Sequence, residues 1–394
     1  MNASAAPIGI GVVGFGWMGE VHSRAYLRAR HHFPDLPYQP LLVAVADPEP
    51  GRAAGAAERY GFDRSTLDWR DVVAAPDVHA ISVTAPNYLH REIGVAVATA
   101  GKHVWIEKPV GLSAADAREL AGAVAGGGVR CSVGFNYRNA PAVEAARELI
   151  GRGELGAVTH ARFRLFSDYA AHPQGALSWR FEQRRGGSGV LGDLASHGVD
   201  LIRYLLGEID AVVADTAVFI AERPQPTGAG SHFALAVGGA IGAVENEDYV
   251  GCLLRLAGGA RATLEASRVS VGEQCAYGFE IHGTSGALAW DFRRMGELSV
   301  SVGEAYQNQS FSRVFAGPGH GEFAAFQPGA GIAMGYDDLK VVEAANFLRS
   351  IADGKAYGAS ITDAVGSAVA LEAMVESVRT GGWVNVRRAG GGPT

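Results

Sequence analysis

Apolar residues in the first third of the chain form short continuous runs, and amphipathic stretches with helical spacing lie between them. The runs cover residues 8–13, 41–46, 80–84, 103–107 and 130–135. A run of this length is typical of a strand buried on both faces, and strands that alternate with helices form a parallel sheet covered by helices. The pattern therefore predicts a doubly wound parallel α/β domain over residues 1–135.

Strand patterns predominate after about residue 136. They occur at residues 158–166, 211–220, 249–256, 260–268, 277–282 and 287–292. Helices are predicted at 142–150, 191–206, 337–351 and 362–379, and long irregular loops at 222–246 and 304–335. This order predicts an α+β domain over 136–394, with a mostly antiparallel open sheet and helices on one face. The two closing helices could return to the first domain.

Size and charge agree with a two-domain protein that acts on a small molecule. The 394 residues exceed one typical domain, and 48% of them are hydrophobic. The formal net charge of −7 does not favour nucleic acid or an anionic membrane as a partner, because both require basic patches. No apolar run is long enough to cross a bilayer.

The cysteines and the first residues bear on the cellular compartment. Cys131, Cys252 and Cys275 lie far apart and have no Cys-x-x-Cys spacing, so we expect neither a disulfide framework nor a thiolate metal site. Residues 1–8 contain no Lys or Arg and no long apolar stretch, which is unlike a signal peptide. A soluble cytoplasmic protein is expected.

The first predicted strand is followed by Gly14-Phe15-Gly16-Trp17-Met18-Gly19, which fits the pattern G-x-G-x-x-G and opens a helix. In this context the pattern indicates a Rossmann dinucleotide site. Gly14 permits the tight turn, Gly16 lets a pyrophosphate approach the backbone, and Gly19 lets helix and strand pack closely. The alternative is a glycine-rich turn without a ligand.

Asp47 ends the second predicted strand and could accept hydrogen bonds from the ribose hydroxyls of the dinucleotide. It lies farther from Gly19 than the usual spacing because residues 31–40 form a polar insertion. A carboxylate there would repel a 2′-phosphate, and no Arg follows immediately, so NAD is favoured over NADP as the cofactor. The alternative is a simple turn residue before Pro48.

Two further groups suggest acid–base chemistry. Glu107-Lys108-Pro109 ends a strand of the parallel sheet, at the edge where such sheets bind ligands, and the Lys108 ammonium could stabilise a developing alkoxide. Asp193, His197 and Asp200 have the spacing of one helix face, and a carboxylate beside a histidine makes the imidazole a better base. The alternatives are a solvated lysine, a surface ion pair, and a metal site formed by His197 and the two aspartates. The metal site is disfavoured because hydride transfer to NAD needs no metal.

In this order, the glycine motif, Glu107-Lys108-Pro109 and Asp193-x-x-x-His197 resemble the glucose–fructose oxidoreductase/inositol dehydrogenase (Gfo/Idh/MocA) family. The resemblance covers nearly the whole chain and includes the segments 84–90, 134–138, 179–180 and 280–286. It implies that Lys108 contacts the reacting hydroxyl, that His197 is the general acid/base and that Asp193 orients substrate and histidine.

The same resemblance implies the binding residues. It puts Trp179 and Arg180 near the nicotinamide and Asn136 and Tyr137 near the sugar, whereas His22, His103 and His282 are expected to be structural. The predicted cofactor-binding residues are Gly14, Phe15, Gly16, Trp17, Met18, Asp47, Thr84, Pro86, Asn87, His90, Glu107, Lys108, Asn136, Trp179 and Arg180. The predicted substrate-binding residues are Lys108, Tyr137, Asp193, His197 and Tyr336.

The implied function is an NAD-dependent dehydrogenase for a secondary hydroxyl of a sugar or cyclitol, levoglucosan- or inositol-like. A homodimer or homotetramer is expected, because relatives assemble through the open sheet face. The alternatives are an NAD-dependent glycosidase of related fold, an aminosugar-pathway ketoreductase and a non-catalytic sensor of NAD and sugar. The dehydrogenase hypothesis requires Lys108 and His197 to act on one oxygen.

Overall fold

The computed structural model describes residues 5–226, 235–236 and 238–386. Residues 1–4, 227–234 and 237, which include part of the N-terminal segment and part of the predicted loop at 222–246, lie outside the described residues, as do 387–394. The chain forms two units. Unit 1 comprises Met1–Asn139 and Met334–Val365, and unit 2 comprises Ala140–Ala333 and Gly366–Thr394.

The strands are short and follow the apolar runs. They are β1 (Ala6–Val13), β2 (Tyr38–Ala46), β3 (Arg64–Thr66), β4 (Ala80–Val83), β5 (His103–Ile106), β6 (Cys131–Val133), β7 (Val158–Phe166), β8 (Ile209–Ala217), β9 (Glu222–Pro224), β10 (Ile241–Ala243), β11 (Tyr249–Leu256), β12 (Arg261–Ser267), β13 (Ala276–Gly283), β14 (Gly286–Asp291), β15 (Glu297–Val302), β16 (Ser312–Phe315) and β17 (Val384–Asn385).

The α-helices are longest near the C-terminus. They are α1 (Trp17–His32), α2 (Pro50–Tyr60), α3 (Trp69–Ala74), α4 (Asn87–Thr99), α5 (Ala114–Gly127), α6 (Pro141–Gly151), α7 (Gln183–Gly186), α8 (Ser196–Leu206), α9 (Tyr336–Asp353) and α10 (Ile361–Thr380).

Unit 1 is built on a parallel sheet with the strand order β3-β2-β1-β4-β5-β6. This is the order of a doubly wound dinucleotide-binding sheet, so the predicted Rossmann fold is confirmed. Ile10, Ile81, Trp105 and Ile106 are fully buried, as expected for strands covered on both faces.

Helix α9 belongs to unit 1 and packs against α1. Two ion pairs join the helices: Arg24 contacts Asp337 at 2.6 Å, and Arg28 contacts Asp338 at 2.5 Å. The return of the chain therefore adds a helix to the N-terminal unit.

Unit 2 contains a nine-stranded sheet in the order β16-β15-β14-β13-β7-β12-β11-β8-β17. Its neighbours are antiparallel except β12 and β7, which confirms the predicted mostly antiparallel sheet. Along β7, Phe163 and Leu165 are buried whereas Arg162 and Arg164 are exposed, so one face is covered and the other is open. Gly198 of α8 lies close to this sheet, because an added Cβ would come within 2.6 Å of Leu165.

Three local predictions were wrong. A regular α-helix was expected over 191–206, but Leu191–Ala195 is π-helical and α8 begins at Ser196. The first residue of the π-helical turn is held by a side chain from another segment, since Leu191 N–H donates to the Glu247 carboxylate at 3.0 Å. The predicted irregular loops also contain strands, because β9 pairs with β10 and β16 pairs with β15.

Candidate functional site

The glycine motif forms the turn between β1 and α1. Gly14 has φ +84°, and an added Cβ would lie 2.6 Å from the backbone of Ala85. An added Cβ at Gly19 would lie 2.5 Å from the Gly14 carbonyl oxygen. At Gly16, by contrast, an added Cβ meets no atom of the described part of the chain within 4 Å. Gly14 and Gly19 are thus required by the turn and its packing, whereas Gly16 leaves open space beside the backbone.

The first turn of α1 is suited to an anion. Gly16 is its N-cap, and no side chain of the described residues caps this end, so the N–H groups and the positive end of the helix dipole are available to phosphate. Trp17 is exposed and stacks on Tyr336, with ring centroids 5.2 Å apart. The Tyr336 hydroxyl lies 3.8 Å from the sulfur of Met18. Tyr336, predicted to bind substrate, therefore contacts the turn predicted to bind the cofactor.

Asp47 connects the end of β2 with this turn. Its buried carboxylate accepts hydrogen bonds from the Phe15 N–H at 2.7 Å and from the Glu49 N–H at 3.0 Å. Arg52, in the first turn of α2, donates to the same carboxylate at 3.1 Å. Sequence reasoning missed Arg52, because this arginine does not follow Asp47 immediately but lies five residues further on.

The segment from Thr84 to His90 joins the glycine turn to Pro109. The Thr84 hydroxyl donates to the Gly14 carbonyl at 2.5 Å. The two ring nitrogens of His90 lie 2.7 Å from the carbonyl oxygens of Ala85 and Pro109. Burial lowers the pKa of His90, and the two carbonyls oppose this shift. His90 thus holds backbone in place, while Pro86 is the N-cap of α4 and Asn87 is the first residue of that helix.

Lys108 follows β5 and is half-buried, and its peptide bond to Pro109 is cis. The neighbouring Glu107 is buried, and its carboxylate lies 3.0 Å from His22 Nε2 and 2.5 Å from Lys340 Nζ. Glu107 was predicted to bind the cofactor; its carboxylate contacts these two side chains, and contact with the cofactor stays a prediction.

Four buried side chains form a cluster that we call the buried charge cluster: His22, Glu107, Lys340 and Glu343. Burial and neighbouring charges shift the pKa values of His22, Glu107 and Lys340 in this cluster. Burial lowers the pKa of His22 to about 4. Burial would raise the pKa of Glu107, but Lys340 and His22 hold it well below its ordinary value. Burial would lower the pKa of Lys340, but Glu107 and Glu343 raise it. Lys340 is therefore charged, and it is the counter-ion of both carboxylates.

Asn136 begins a 3₁₀ helix that runs from Asn136 to Asn139 and also contains the buried Tyr137. Asn136 is fully buried, yet its amide oxygen and nitrogen have no hydrogen-bond partner among the described residues. Leaving such a group unsatisfied costs about 1–3 kcal/mol, so a ligand with polar groups would stabilise it. This orphaned amide, the uncapped α1 and the open space at Gly16 fit a dinucleotide.

The predicted residues of unit 2 lie on two segments. Trp179 and Arg180 form a 3₁₀ turn, with the guanidinium 4.4 Å from the Trp179 ring centroid. Asp193 lies in the π-helical turn, whereas His197 and Asp200 lie in α8 and are buried. The Tyr169 hydroxyl donates to Asp193 Oδ2 at 2.5 Å, a contact that sequence reasoning missed. π-Helical turns are frequent at functional sites.

Comparison with known proteins adds the family. Residues 8–135 match the model of an oxidoreductase family with an NAD-binding Rossmann fold. Residues 143–289 match the GFO/IDH/MocA C-terminal domain. The chain belongs to the Gfo/Idh/MocA oxidoreductase family. The predicted family, the NAD cofactor and the oxidoreductase activity are thereby confirmed.

Several Gfo/Idh/MocA members are similar over nearly their whole length. Levoglucosan dehydrogenase of Pseudarthrobacter phenanthrenivorans is 36% identical, covering 96% of this chain and 98% of that protein. Inositol 2-dehydrogenase of Rhizobium meliloti is 29% identical, and the match covers 87% of this chain and 96% of that protein. A levoglucosan dehydrogenase structure in complex with NADH and levoglucosan superposes with a TM-score of 0.91 at 36% identity. The superposition covers 97% of this chain and 100% of that chain.

Lys108 belongs to unit 1 and His197 to unit 2, and their action on one oxygen stays a prediction. Within residues 5–226, 235–236 and 238–386, no three His, Cys, Asp or Glu side chains are grouped as a metal site. In the same ranges no helix has the length and apolar character needed to span a membrane.

Proposed function

We propose that this Gfo/Idh/MocA member is an NAD-dependent dehydrogenase that oxidises a secondary hydroxyl of a levoglucosan- or inositol-like carbohydrate. The supporting observation is the 36% identity to levoglucosan dehydrogenase over 96% of the chain. An inositol dehydrogenase matches at 29% over 87%, so an anhydrosugar is the first substrate to test.

NAD would be held mainly by the turn between β1 and α1. The uncapped N-terminus of α1 would bind the pyrophosphate, and Asp47 the ribose hydroxyls. Asn136 would satisfy its orphaned amide on the same ligand. His90 and Thr84 contribute by fixing the backbone next to Gly14 and Pro109. When bound, NAD supplies a hydride acceptor, which no side chain can provide.

The side chains would manage the proton and the charge of the reacting hydroxyl. His197 would take the hydroxyl proton as the general base. Asp193 would orient the imidazole and the substrate, and Lys108 would stabilise negative charge that develops on the oxygen. Proton removal by a positioned base typically contributes a factor of about 10²–10⁴ in rate.

The first experiment is a screen for NAD reduction with levoglucosan, inositols, glucose and glucosides. Turnover of levoglucosan or an inositol with stoichiometric NADH is expected. Release of an aglycone without net NADH would instead indicate a glycosidase, and preference for a ketosugar of the aminosugar type a ketoreductase. Binding of NAD and sugar without any turnover would support a sensor and end the dehydrogenase proposal.

The second experiment substitutes the two proposed reacting groups. Lys108→Ala and His197→Ala should each lower kcat by at least about a hundredfold. NADH affinity, measured by fluorescence titration, should stay within about twofold of the wild type, because neither substitution removes the glycine turn. Near wild-type turnover in either variant would contradict the assigned roles.

We further propose assembly as a homodimer or homotetramer through the open face of the nine-stranded sheet. The exposed Arg162 and Arg164 form ion pairs there with the half-buried Glu280 and Asp291. Light scattering after size exclusion would test this, and a monomer would exclude it. Location in the cytoplasm stays a prediction.

A further inference from the structure

We infer that Tyr169 is a positioning residue that fixes the carboxylate of Asp193 for the reaction, an inference that rests on the proposed function. Both residues belong to unit 2, and the Tyr169 hydroxyl donates to Asp193 Oδ2 at 2.5 Å. A hydrogen bond to a charged carboxylate is stronger than a neutral one and restricts its rotation. Asp193 lies in a π-helical turn, so its direction does not follow from regular helix spacing.

Tyr169 is itself held by backbone on both sides. It lies in the segment after β7, whose Ser167 N–H donates to the Ser267 carbonyl at 2.8 Å. The Ala170 N–H donates to the Arg268 carbonyl at 3.0 Å. The phenol is therefore carried by a segment that is fastened to the end of β12.

Two buried arginines, Arg223 and Arg268, contact the segment that carries Tyr169, and both stack on the ring of Phe181. The guanidinium carbons of Arg223 and Arg268 lie 4.3 and 4.6 Å from the Phe181 ring centroid. Arg223 also donates to the carbonyls of Ala170 and His172, and Arg268 forms a buried 2.8 Å ion pair with Asp248. Buried charged groups with satisfied hydrogen bonds make their surroundings rigid, which is what a positioning role of Tyr169 requires.

The phenol acts as the donor throughout the physiological range. Burial and the neighbouring Asp193 raise the pKa of Tyr169 well above 10, and Arg268 and Arg180 oppose the shift only in part. Tyr277 of β13 also faces Asp193, and burial raises its pKa too. With both phenols protonated, Asp193 is the acceptor, and the hydrogen bond stabilises its charged form.

The test is Tyr169→Phe, which removes one hydroxyl and keeps the ring. We expect kcat/KM for the sugar to fall roughly tenfold, because a hydrogen bond to a charged group is lost, while NADH affinity is unchanged. The acid limb of the pH profile should move to higher pH, since a carboxylate without its donor stabilises the imidazolium more strongly. A uniform loss of rate with an unmoved limb would overturn the inference.

Tyr204→Phe is the matched control. Tyr204 lies in α8 and also donates its hydroxyl to a carboxylate, that of Glu144. It is seven residues beyond His197, which is roughly 10 Å along the helix. This variant should keep the wild-type rate and pH profile. If it reproduced the Tyr169→Phe profile, general loosening of unit 2 would be the explanation and the inference would fail.

A double substitution identifies the residue through which Tyr169 acts. In an Asp193→Asn background, Tyr169→Phe should change kcat/KM by less than about twofold, because the carboxylate it positions is gone. Equal factors in both backgrounds would contradict action through Asp193.

A readout without substrate separates this inference from the proposed function. In protein labelled with ¹³C at aspartate carboxyl groups, the Asp193 signal, assigned by its absence in Asp193→Asn, should titrate about one pH unit higher in Tyr169→Phe. Coincident titrations would overturn the inference. A wild type that oxidises no carbohydrate would overturn the proposed function and leave this result intact.

Discussion

The carboxylate of Asp47 accepts a hydrogen bond from the backbone N–H of Phe15 at 2.7 Å. The contact joins the end of β2 to the glycine turn, so Asp47 shapes the turn in addition to its predicted role at the ribose. Arg52 shares this carboxylate at 3.1 Å and is itself about half exposed, at 45% of its side chain. The acidic residue that is predicted to disfavour NADP therefore also restrains a nearby cation.

Asp47→Ala should shift the cofactor preference towards NADP. The substitution removes the repulsion of a 2′-phosphate and leaves Arg52 to bind it, as arginines near this position do in NADP enzymes. The ratio of kcat/KM with NADP to that with NAD should rise at least about tenfold, measured by initial rates at saturating sugar. An unchanged ratio would count against the ribose contact.

The control for this shift is the double variant Asp47→Ala/Arg52→Ala. It should lose most of the gain with NADP, because no cation then replaces the carboxylate. If the double variant retained the gain, relief of repulsion alone would account for it.

Gly16→Ala and Gly14→Ala should separate cofactor binding from folding. Among the residues that the structure describes, no atom lies within 4 Å of an added Cβ at Gly16, so the cofactor-free protein should keep its Tm. The methyl group should raise the Kd for NADH at least about tenfold. An added Cβ at Gly14 would collide with Ala85 at a φ of +84°, so Tm should fall. Calorimetry and fluorescence titration measure the two effects, and unchanged NADH affinity in Gly16→Ala would be evidence against the pyrophosphate site.

Lys340→Met should destabilise unit 1 strongly. It leaves Glu107 and Glu343 buried without the ammonium that lies 2.5 and 2.8 Å from them. Breaking a buried ion pair on one side costs about 3–5 kcal/mol, which urea unfolding can measure. Arg64→Ala removes a pair of similar length, 2.5 Å from Asp77, on the exposed surface and should have no measurable effect. Equal midpoints for Lys340→Met and wild type would show that the buried charge cluster is dispensable.

His22 should make the protein less stable as the pH falls from about 6.5 towards 4. Burial lowers its folded-state pKa to about 4, whereas the unfolded chain takes up a proton near pH 6.5. Between pH 6.5 and about 4, His22 is protonated in the unfolded state but not in the folded state. The free energy of unfolding therefore decreases as the pH falls. His22→Gln should flatten the slope measured by urea unfolding at pH 7, 6 and 5, and the exposed His31→Gln should retain it. Parallel slopes for wild type and His22→Gln would refute the assignment.

Local patterns were sufficient to locate the elements that are predicted to bind the cofactor. The turn at Gly14 and Gly16 and the strand end at Asp47 could be placed from sequence because a strand, a glycine turn and a helix follow one another within a short stretch. The same holds for the alternating strand β7, in which burial of Phe163 and exposure of Arg164 repeat with the period of a strand.

Tertiary partners could not be predicted in this way. Periodicity shows that a position is buried but does not identify its partner, and Lys340 meets Glu107 across 233 residues. Its charge within a helical pattern is typical of a solvated face. The π-helical turn at Leu191–Ala195 could not be predicted for a related reason, since Glu247, which binds the N–H of Leu191, comes from another segment.

The allocation of residues 334–365 to unit 1 has a consequence for biosynthesis and for dissecting the protein. A fragment that stops at residue 139 lacks α9, so Glu107 would enter the interior without its ammonium partner. On the ribosome, the nucleotide-binding half would stay incomplete until residues 140–333 have been translated and the chain has emerged past α9. A working fragment therefore needs residues 334–365 joined to 1–139 by a short linker.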